Sequence, residues 1–175
     1  ISCLLALGII VYGDTRLGQF FINHQATSVT SQTKLPQYRR ILAISPALQE
    51  IVLALAEPEQ IVAVSPSSKN SPIPEVAQAA QKINGQISER PGTEEIVALH
   101  PDIVLLPIVF SRDQAGILAD MNVNVLPLGI PNGYQELKAR LLLIAEKLGL
   151  SEKGRALTDQ MDKKLARIKE KNKAI

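Results

Sequence analysis

The sequence predicts an α/β fold, a three-layer sandwich in which helices cover both faces of a mostly parallel sheet. From residue 40 onward, apolar runs of four to six residues alternate with amphipathic helical patterns. Apolar runs with few polar interruptions are typical of strands that are buried on both faces, as they are in parallel sheets. Strands that alternate with helices are joined by crossovers, and these crossovers place the helices against the sheet.

The first strand and helix are predicted within residues 40–55. Residues 40–44 predict a buried strand, and Ser45 and Pro46 follow it. Serine is favoured as a helix N-cap and proline at the first helical position. The next apolar residues recur at intervals of three and four, which places them on one helix face. They are Leu48, Ile51, Val52 and Leu55.

The remaining elements alternate in the same way. Apolar runs predict strands at residues 61–64, 103–106 and 123–128. Helical patterns predict helices at residues 74–81, from Thr93 to the His100-Pro101 pair, at 115–121 and at 134–148. Thr93 is predicted to cap its helix, with Glu94 and Glu95 in the first turn, where carboxylates stabilise the positive end of the helix dipole.

A final helix is predicted from Ser151 to the last residue. Gly149 is expected to close the preceding helix, because glycine is the residue most often found just beyond a helix C-terminus. Four apolar residues form a stripe along the final helix, opposite a charged face: Leu157, Met161, Leu165 and Ile168. A stripe of this kind normally packs against another apolar surface.

Residues 1–22 predict an export signal or a membrane anchor. Residues 1–13 are apolar and uncharged, and they are too few to cross a bilayer, which needs about 20 residues. They fit the apolar core of a secretion signal, and a buried first helix or strand is the alternative. Residues 23–39 are rich in Ser, Thr and Gln and predict a polar linker. We therefore expect a protein of the periplasm or cell surface that contacts the membrane through its N-terminal segment.

The composition argues against nucleic-acid binding, thiol chemistry and a resident metal. The net charge is only +2, aromatic residues make up 3% of the chain, and there is no Trp. Neither a basic face nor a stacking platform is therefore indicated. Cys3 is the only cysteine, and His24 and His100 are the only histidines, without metal-ligand spacing between them. We predict no catalytic residue, no metal site and no cofactor, and hence a protein that is not an enzyme.

A ligand site is expected beyond the carboxyl ends of the predicted strands. In open parallel sheets, the loops and helix N-termini that gather there form the binding crevice. The loops in question are Ser45-Pro46 and residues 65–70, 107–112 and 129–132. They offer small, polar and proline residues and no catalytic constellation, which suits a surface that holds a ligand.

Two segments resemble a known family. RILAISPALQEIVLAL (residues 40–55) resembles the opening strand and helix of helical-backbone periplasmic binding proteins for cobalamin, siderophores and haem. TEEIVALHPDIVLL (residues 93–106) resembles the second signature of that family, a helix that ends in Pro-Asp and runs into a strand. ADMNVNVLPL (residues 119–128) is similar to the next segment of the family, which leads into the following strand. Met121-Asn122 stands there in place of the usual small turn.

The resemblance implies two α/β lobes joined by one long helix, with the ligand held between them. Residues 40–150 would be the first lobe and residues 151–175 the start of the interlobe helix, with the second lobe absent. The implied partners are an ABC permease and a small-molecule metal chelate, so that metal enters only as part of the ligand. The implied docking residue is Glu50, which the helical pattern places opposite the apolar face.

The resemblance also guides the choice of ligand-binding residues within the strand-end loops. We predict that they include Ser45, Pro46, Ser67, Ser68, Lys69, Phe110, Arg112 and Asn132. Pockets of the family commonly use Trp, Tyr or Arg, and Phe110 and Arg112 are the bulky candidates in this chain. Arg112 has two interpretations, a bidentate contact with an anionic chelate or a solvated charge at a helix start.

Two other function classes are compatible with the sequence. One is a cytoplasmic α/β enzyme or regulator whose apolar N-terminus belongs to its core. The other is an anchored α/β module that binds a protein partner and has a degenerate pocket. Cellular fractionation distinguishes the first from an exported binding protein, and ligand titration distinguishes the second.

Overall fold

The computed structural model describes residues 37–108 and 112–173. The predicted signal or anchor segment 1–22, residues 23–36 of the predicted linker and Phe110 lie outside the described residues. The strands are β1 (Ile41–Ala43), β2 (Ile61–Ala63), β3 (Ile103–Pro107) and β4 (Val125–Leu128). The helices are α1 (Pro46–Leu55), α2 (Pro66–Lys69), α3 (Pro74–Gln81), α4 (Thr93–Ala98), α5 (Arg112–Asp120), α6 (Tyr134–Lys147) and α7 (Ser151–Lys173). A short 3-10 helix, Pro58–Gln60, precedes β2.

The four strands form one sheet in the order β2-β1-β3-β4, and each neighbouring pair is parallel. The chain adds β2 on one side of β1 and then returns to add β3 on the other side. The direction of winding therefore reverses between β1 and β3. Loops diverge at such a switch point and leave a crevice beyond the carboxyl ends of the two strands.

Both faces of the sheet are covered, which confirms the predicted three-layer α/β sandwich. Side chains of one strand alternate between the faces, so Ile41 and Ala43 point into one core cluster and Leu42 into the other. The first cluster gathers apolar side chains from α1, α3 and α6, and the second gathers those from α4 and α5. A full alternation of this kind requires strands that are apolar on both sides.

The helices α6 and α7 are joined by a tight turn. Gly149 has φ +74°, a conformation that L side chains rarely adopt. Its N–H donates to the carbonyl of Glu146 at 3.0 Å, and the N–H of Leu150 donates to the carbonyl of Ala145 at 2.7 Å. These two bonds are the Schellman pattern that satisfies the last carbonyls of a helix. The predicted closure of this helix by Gly149 is confirmed.

The first half of α7 packs on the lobe, and the second half extends away from it. Leu157 and Met161 are partly buried against the first core cluster, as the apolar stripe predicted. Ile168, on the same stripe, has 55% of its surface exposed. Tyr134 and Lys138 of α6 both bond to the carboxylate of Asp162, with 2.7 Å between the Tyr134 hydroxyl and that carboxylate. The packed part of α7 is therefore fixed by both apolar and polar contacts.

Two local predictions are corrected by the structure. Thr93 does not cap α4: the N-cap is Gly92, and Thr93 is the first helical residue. The reason is that Gly92 adopts the extended conformation of the cap position and leaves Thr93 inside the first turn. Residues 65–70, predicted as a loop, contain the short helix α2, which Pro66 starts.

Candidate ligand-binding site

A cavity of about 490 Å³ lies at the switch point of the sheet. One wall continues from the end of β1 and includes Ser45 and Pro46, and another is formed by Pro107 at the end of β3. The rest of the lining is Ile44, Glu89, Arg90, Pro91 and Gln114. The cavity thus occupies the position where open parallel sheets hold their ligands.

A buried glutamine ties the end of β1 to the loop that follows β2. Gln49 on α1 is only 2% exposed, and its amide nitrogen donates to the carbonyl of Ala43 at 3.0 Å. Its amide oxygen accepts from the backbone N–H of Ser65 at 3.0 Å and from the hydroxyl of Ser68 at 2.6 Å. These bonds satisfy a polar side chain that would otherwise be costly to bury. Gln49 therefore fixes one side of the crevice.

The polar contacts of Gln49 continue to the surface through two serines. The hydroxyls of Ser65 and Ser67 are 3.0 Å apart, and the Ser67 hydroxyl lies 2.8 Å from the carboxylate of Glu89. The Ser65 hydroxyl also lies 3.0 Å from the amide oxygen of Gln49. Each hydroxyl has one proton, so Ser67 donates to Glu89, and Ser65 donates either to Gln49 or to Ser67. The backbone N–H of Ser67 also donates to Glu89 at 2.8 Å. Both oxygens of Glu89 are engaged by these bonds.

The loop of residues 88–91 is held at two further points. The backbone N–H and the hydroxyl of Ser88 each donate to the carboxylate of Glu95 at 2.7 Å. The side chain of Gln114 donates to the carbonyl of Pro91 at 3.0 Å. Together with the Ser67–Glu89 bonds, these contacts anchor the loop to α2, α4 and α5. Arg90 lies between the anchored positions and borders the cavity.

The charge at the cavity is set by Glu89 and Arg90. The carboxylate of Glu89 accepts two hydrogen bonds from neutral donors at the start of α2, and these orient it without cancelling its negative charge. Arg90 is exposed and has no hydrogen-bond or ion-pair partner among the described residues. Lys69, at the end of α2, is also without such a partner in this part of the chain. Glu89 and Arg90 both line the cavity, so these two residues together bring no net formal charge to it.

The structure places the predicted ligand residues at different distances from the cavity. Ser45 and Pro46 line it, and Ser45 also caps α1 by accepting from the N–H of Leu48 at 3.3 Å. Ser67 reaches the site through Glu89, whereas Ser68 is buried and bonded to Gln49.

Apart from Ser45 and Pro46, none of the predicted ligand residues is among the described residues that line the cavity. Asn132 is exposed beyond β4, and its N–H donates to Glu136 at 2.6 Å. Arg112 begins α5, but its side chain, like Phe110, lies outside the described part of the structure. The roles of these residues, and of Ser67, Ser68 and Lys69, remain predictions.

Sequence reasoning missed one of the two three-residue segments that line the cavity. Glu89, Arg90 and Pro91 lie before α4 and follow no strand of the sheet, so the strand-end rule did not select them. A signal was present, because a Glu-Arg pair followed by Pro-Gly marks a turn with two charges at its surface. The buried Gln49 was missed because a glutamine within a helical pattern reads as a surface residue.

A second cavity, of about 390 Å³, lies at the opposite edge of the sheet, where the strands begin. Its lining includes Arg40 and Lys82. The guanidinium of Arg40 donates to the carbonyls of Leu99 at 2.6 Å and His100 at 2.7 Å, at the C-terminus of α4. Cations near a helix C-terminus complement the dipole of the helix, so this basic cluster is accounted for by the fold.

Residues 37–108 and 112–173 contain no group of three or more His, Cys, Asp and Glu that could hold a metal ion. Over the same ranges, every helix is too short or too polar to cross a membrane. Glu50 lies on α1, is partly buried and has no hydrogen-bond or ion-pair partner within these ranges.

A parallel sheet covered by helices on both faces, with an open cavity at its switch point, is typical of α/β domains that bind small ligands. Residues 41–175 match the family model described as periplasmic binding protein, and the chain belongs to that family. The family is one of solute-binding proteins rather than enzymes. No curated protein sequence matches the chain significantly.

Solved structures of similar fold come from several bacteria. The heme-binding protein RhuT from Roseiflexus sp. RS-1 aligns with a TM-score of 0.66 and 20% identity, over 79% of this chain and 51% of that one. A periplasmic heme-binding protein from Pseudomonas aeruginosa aligns with a TM-score of 0.62 and 22% identity, over 76% and 46%. A molybdate-binding protein from Haemophilus influenzae aligns with a TM-score of 0.57 and 19% identity, over 69% and 44%. The chain therefore spans about half the length of these structures.

Proposed function

We propose that this chain is the first lobe of the extracytoplasmic solute-binding component of an ABC importer, and that the solute is a metal chelate of the iron–siderophore, haem or cobalamin type. The observation that carries the proposal is the cavity at the switch point of a lobe that belongs to the periplasmic binding protein family. The relatives described as heme-binding support a chelate, and the molybdate-binding relative shows that solutes differ within this fold.

In this proposal residues 40–150 form the lobe and α7 is the start of the helix that leads to a second lobe. The half-length match to the solved structures supports a two-lobed protein. The exposure of Ile168 supports it as well, because an apolar stripe that runs past its own lobe needs another surface to cover it. Residues 1–22 would direct export or anchor the protein, and residues 23–39 would be the linker.

The cavity is open, so one lobe is expected to bind a chelate weakly. Affinity arises from contacts on both sides of a ligand and from the exclusion of water around it. The direct test is calorimetric titration of the full-length gene product with ferric siderophores, haem and cobalamin. Binding of at least one of these ligands is expected. If none of them binds, the proposal of a chelate ligand is refuted.

Fractionation tests the proposed location independently of the ligand. Cells that express the full-length protein should yield it in the periplasmic or membrane fraction. Recovery from the cytosol with residues 1–22 intact would instead favour an α/β enzyme or regulator.

Glu50 is proposed to dock the protein on its permease. It lies on α1, near the end of the lobe that carries the cavity, and no described residue pairs with its carboxylate. Glu50→Ala should leave chelate affinity unchanged and reduce uptake, because charges at such interfaces steer association. Glu59→Ala is the matched control, since Glu59 is exposed at the opposite edge of the sheet. Unchanged uptake by the Glu50 variant would remove the docking role.

A further inference from the structure

We propose that the second half of α7 carries a basic row, formed by Lys163, Arg167 and Lys171, which holds the protein against the anionic surface of a membrane. The proposal takes from the proposed function only the location of the protein outside the cytoplasm. It concerns a face of α7 that does not line the cavity at the switch point.

The basic row lies on one face of the helix. Its members recur at intervals of four residues, so they follow one another along the helix over about 12 Å. All three are exposed, whereas Met161 is partly buried against the lobe. Arg167, at the centre of the row, is turned by about 120° from Met161 around the helix. The row therefore lies on a face other than the packed side of α7.

The segment that contains the basic row has a surplus of positive charge. Residues 159–173 include six Lys or Arg and three acidic residues. One of the three, Asp162, is paired with Lys138 of α6. The other two, Asp159 and Glu170, lie within one turn of the row, but neither forms an ion pair among the described residues. Six cations are thus opposed by two carboxylates.

The two halves of α7 treat their cations differently. In the first half, Lys153 pairs with Glu57, and Arg155 pairs with Glu152. In the second half, no member of the basic row has a hydrogen-bond or ion-pair partner within residues 37–108 and 112–173. The charge of the row is therefore available to a partner outside this part of the chain.

The stability of the helix does not explain the basic row. Like charges at positions i and i+4 destabilise a helix, and the row contains two such pairs, Lys163 with Arg167 and Arg167 with Lys171. Cations stabilise the negative end of the helix dipole only within the last turn, which accounts for Lys171 but not for the other two. An external polyanion is the better explanation for all three.

The chemistry of the basic row favours a lipid surface over a protein or a nucleic acid. Two of its three cations are lysines, which are hydrated point charges, whereas recognition of a single carboxylate favours the planar fork of arginine. α7 has no aromatic residue on which a base could stack. An anionic membrane attracts exposed basic segments through its surface potential, without specific pairing. The proposed function places the protein beside such a surface.

Energy transfer from a tryptophan to a dansyl-labelled lipid measures the contact. The sequence has no Trp, so Gln160→Trp provides a single donor at an exposed position about one turn before the basic row. The 175-residue chain is mixed with vesicles of phosphatidylcholine, either alone or with about 30% anionic phosphatidylglycerol. Energy transfer should be greater with the anionic vesicles. It should fall to the level of the neutral vesicles at about 1 M salt, where the Debye length is about 3 Å.

Neutralisation of the basic row tests its role directly. The variant Lys163→Gln/Arg167→Gln/Lys171→Gln keeps good helix formers at all three positions. Each cation near an anionic membrane contributes about a factor of 5 to the affinity, so the affinity for the anionic vesicles should fall about 100-fold. Energy transfer should then be the same with both kinds of vesicle.

The matched control removes the same number of exposed cations outside α7 and should leave energy transfer unchanged. Its substitutions are Arg39→Gln, Lys82→Gln and Lys147→Gln. Equal energy transfer with the two kinds of vesicle, or an equal loss in the control variant, would overturn the proposal. Unchanged energy transfer in the row variant together with a loss of uptake by cells would assign the row to a protein partner, and it would overturn the membrane role as well. The vesicle assay contains no solute, so its failure is distinct from a failure of chelate binding.

Discussion

Gly154 controls how closely α7 approaches α6. A Cβ built at this position would lie closer than 3.0 Å to the Cβ of Ala145 on α6. Both atoms are attached directly to helical backbone, so neither can rotate away. Gly154 is also buried, and its N–H bonds to the carbonyl of Leu150 at 3.0 Å in the turn between the helices. Gly154→Ala is therefore expected to force the two helices apart.

The size of the effect follows from two opposing contributions. Carbon atoms in contact are separated by about 3.5–4.0 Å, so the helices must move apart by at least about 0.5 Å, which costs about 1–3 kcal/mol in a packed core. Alanine in place of glycine within a helix returns about 1 kcal/mol. The net destabilisation is up to about 2 kcal/mol, which lowers the Tm of a chain of this size by up to about 8 °C.

Thermal unfolding followed by circular dichroism measures this change. Gly116→Ala is the matched control, because Gly116 lies in α5 with nothing within 4 Å of a Cβ, and it should raise the Tm by about 1–4 °C. The double variant Gly154→Ala/Ala145→Gly restores the space and should recover part of the loss, although a second glycine costs helix stability. A Gly154→Ala variant as stable as the Gly116→Ala variant would show that α6 and α7 are not in close contact.

Two further predictions concern polar contacts. Gln49→Leu should lower the free energy of unfolding, measured by urea titration, by about 2–3 kcal/mol, because it leaves buried donors and an acceptor unpaired. The control is Gln78→Leu at an exposed position, which should change the free energy of unfolding by less than about 0.5 kcal/mol. Equal effects of the two substitutions would contradict the buried hydrogen-bond network. The hydrogen bonds from Lys138 and then Tyr134 lower the pKa of Asp162. Its stabilisation is therefore present above the ordinary pKa of an Asp and is lost as the pH falls through the lowered folded-state pKa. The Tm of an Asp162→Asn variant should depend less on pH in acid, and an unchanged acid limb would contradict this. The bond to Asp162 raises the pKa of Tyr134 from 10.0 to about 12, so its contribution is lost as the pH rises over that interval.

The secondary structure was predictable from local patterns. The Ser45-Pro46 start of α1 and the Gly149 end of α6 were both identified from residue type, because capping depends on the conformation of one or two residues. The failure at Thr93 has the same origin. Glycine and threonine are both acceptable N-caps, so residue type alone does not distinguish Gly92 from Thr93. The N-cap is Gly92, because the backbone is still extended at that residue and the helix begins at Thr93.

The candidate site was predictable only in part. The rule that ligands bind at strand ends selected Ser45 and Pro46, and both lie on the lining of the cavity; their role in binding stays a prediction. The rule did not select Arg90. The backbone around Arg90 is positioned by hydrogen bonds that its neighbours Glu89 and Pro91 make with Ser67 and Gln114, which lie far away in the sequence. Likewise, the sequence contained Gln49 within an amphipathic helix, but its burial follows from the packing of α1 against the end of β1 and the loop after β2.

Local patterns were enough to establish a layered α/β domain of alternating strands and helices, because the periodicity of apolar residues and the capping of helices are local properties of the chain. The order of the strands, in contrast, follows from long-range packing. The placement of β3 beside β1, rather than beside β2, depends on long-range burial of both sheet faces and creates the switch point where the cavity lies. Long-range packing also brings Ser67 to the carboxylate of Glu89, which lies 22 residues further along the chain.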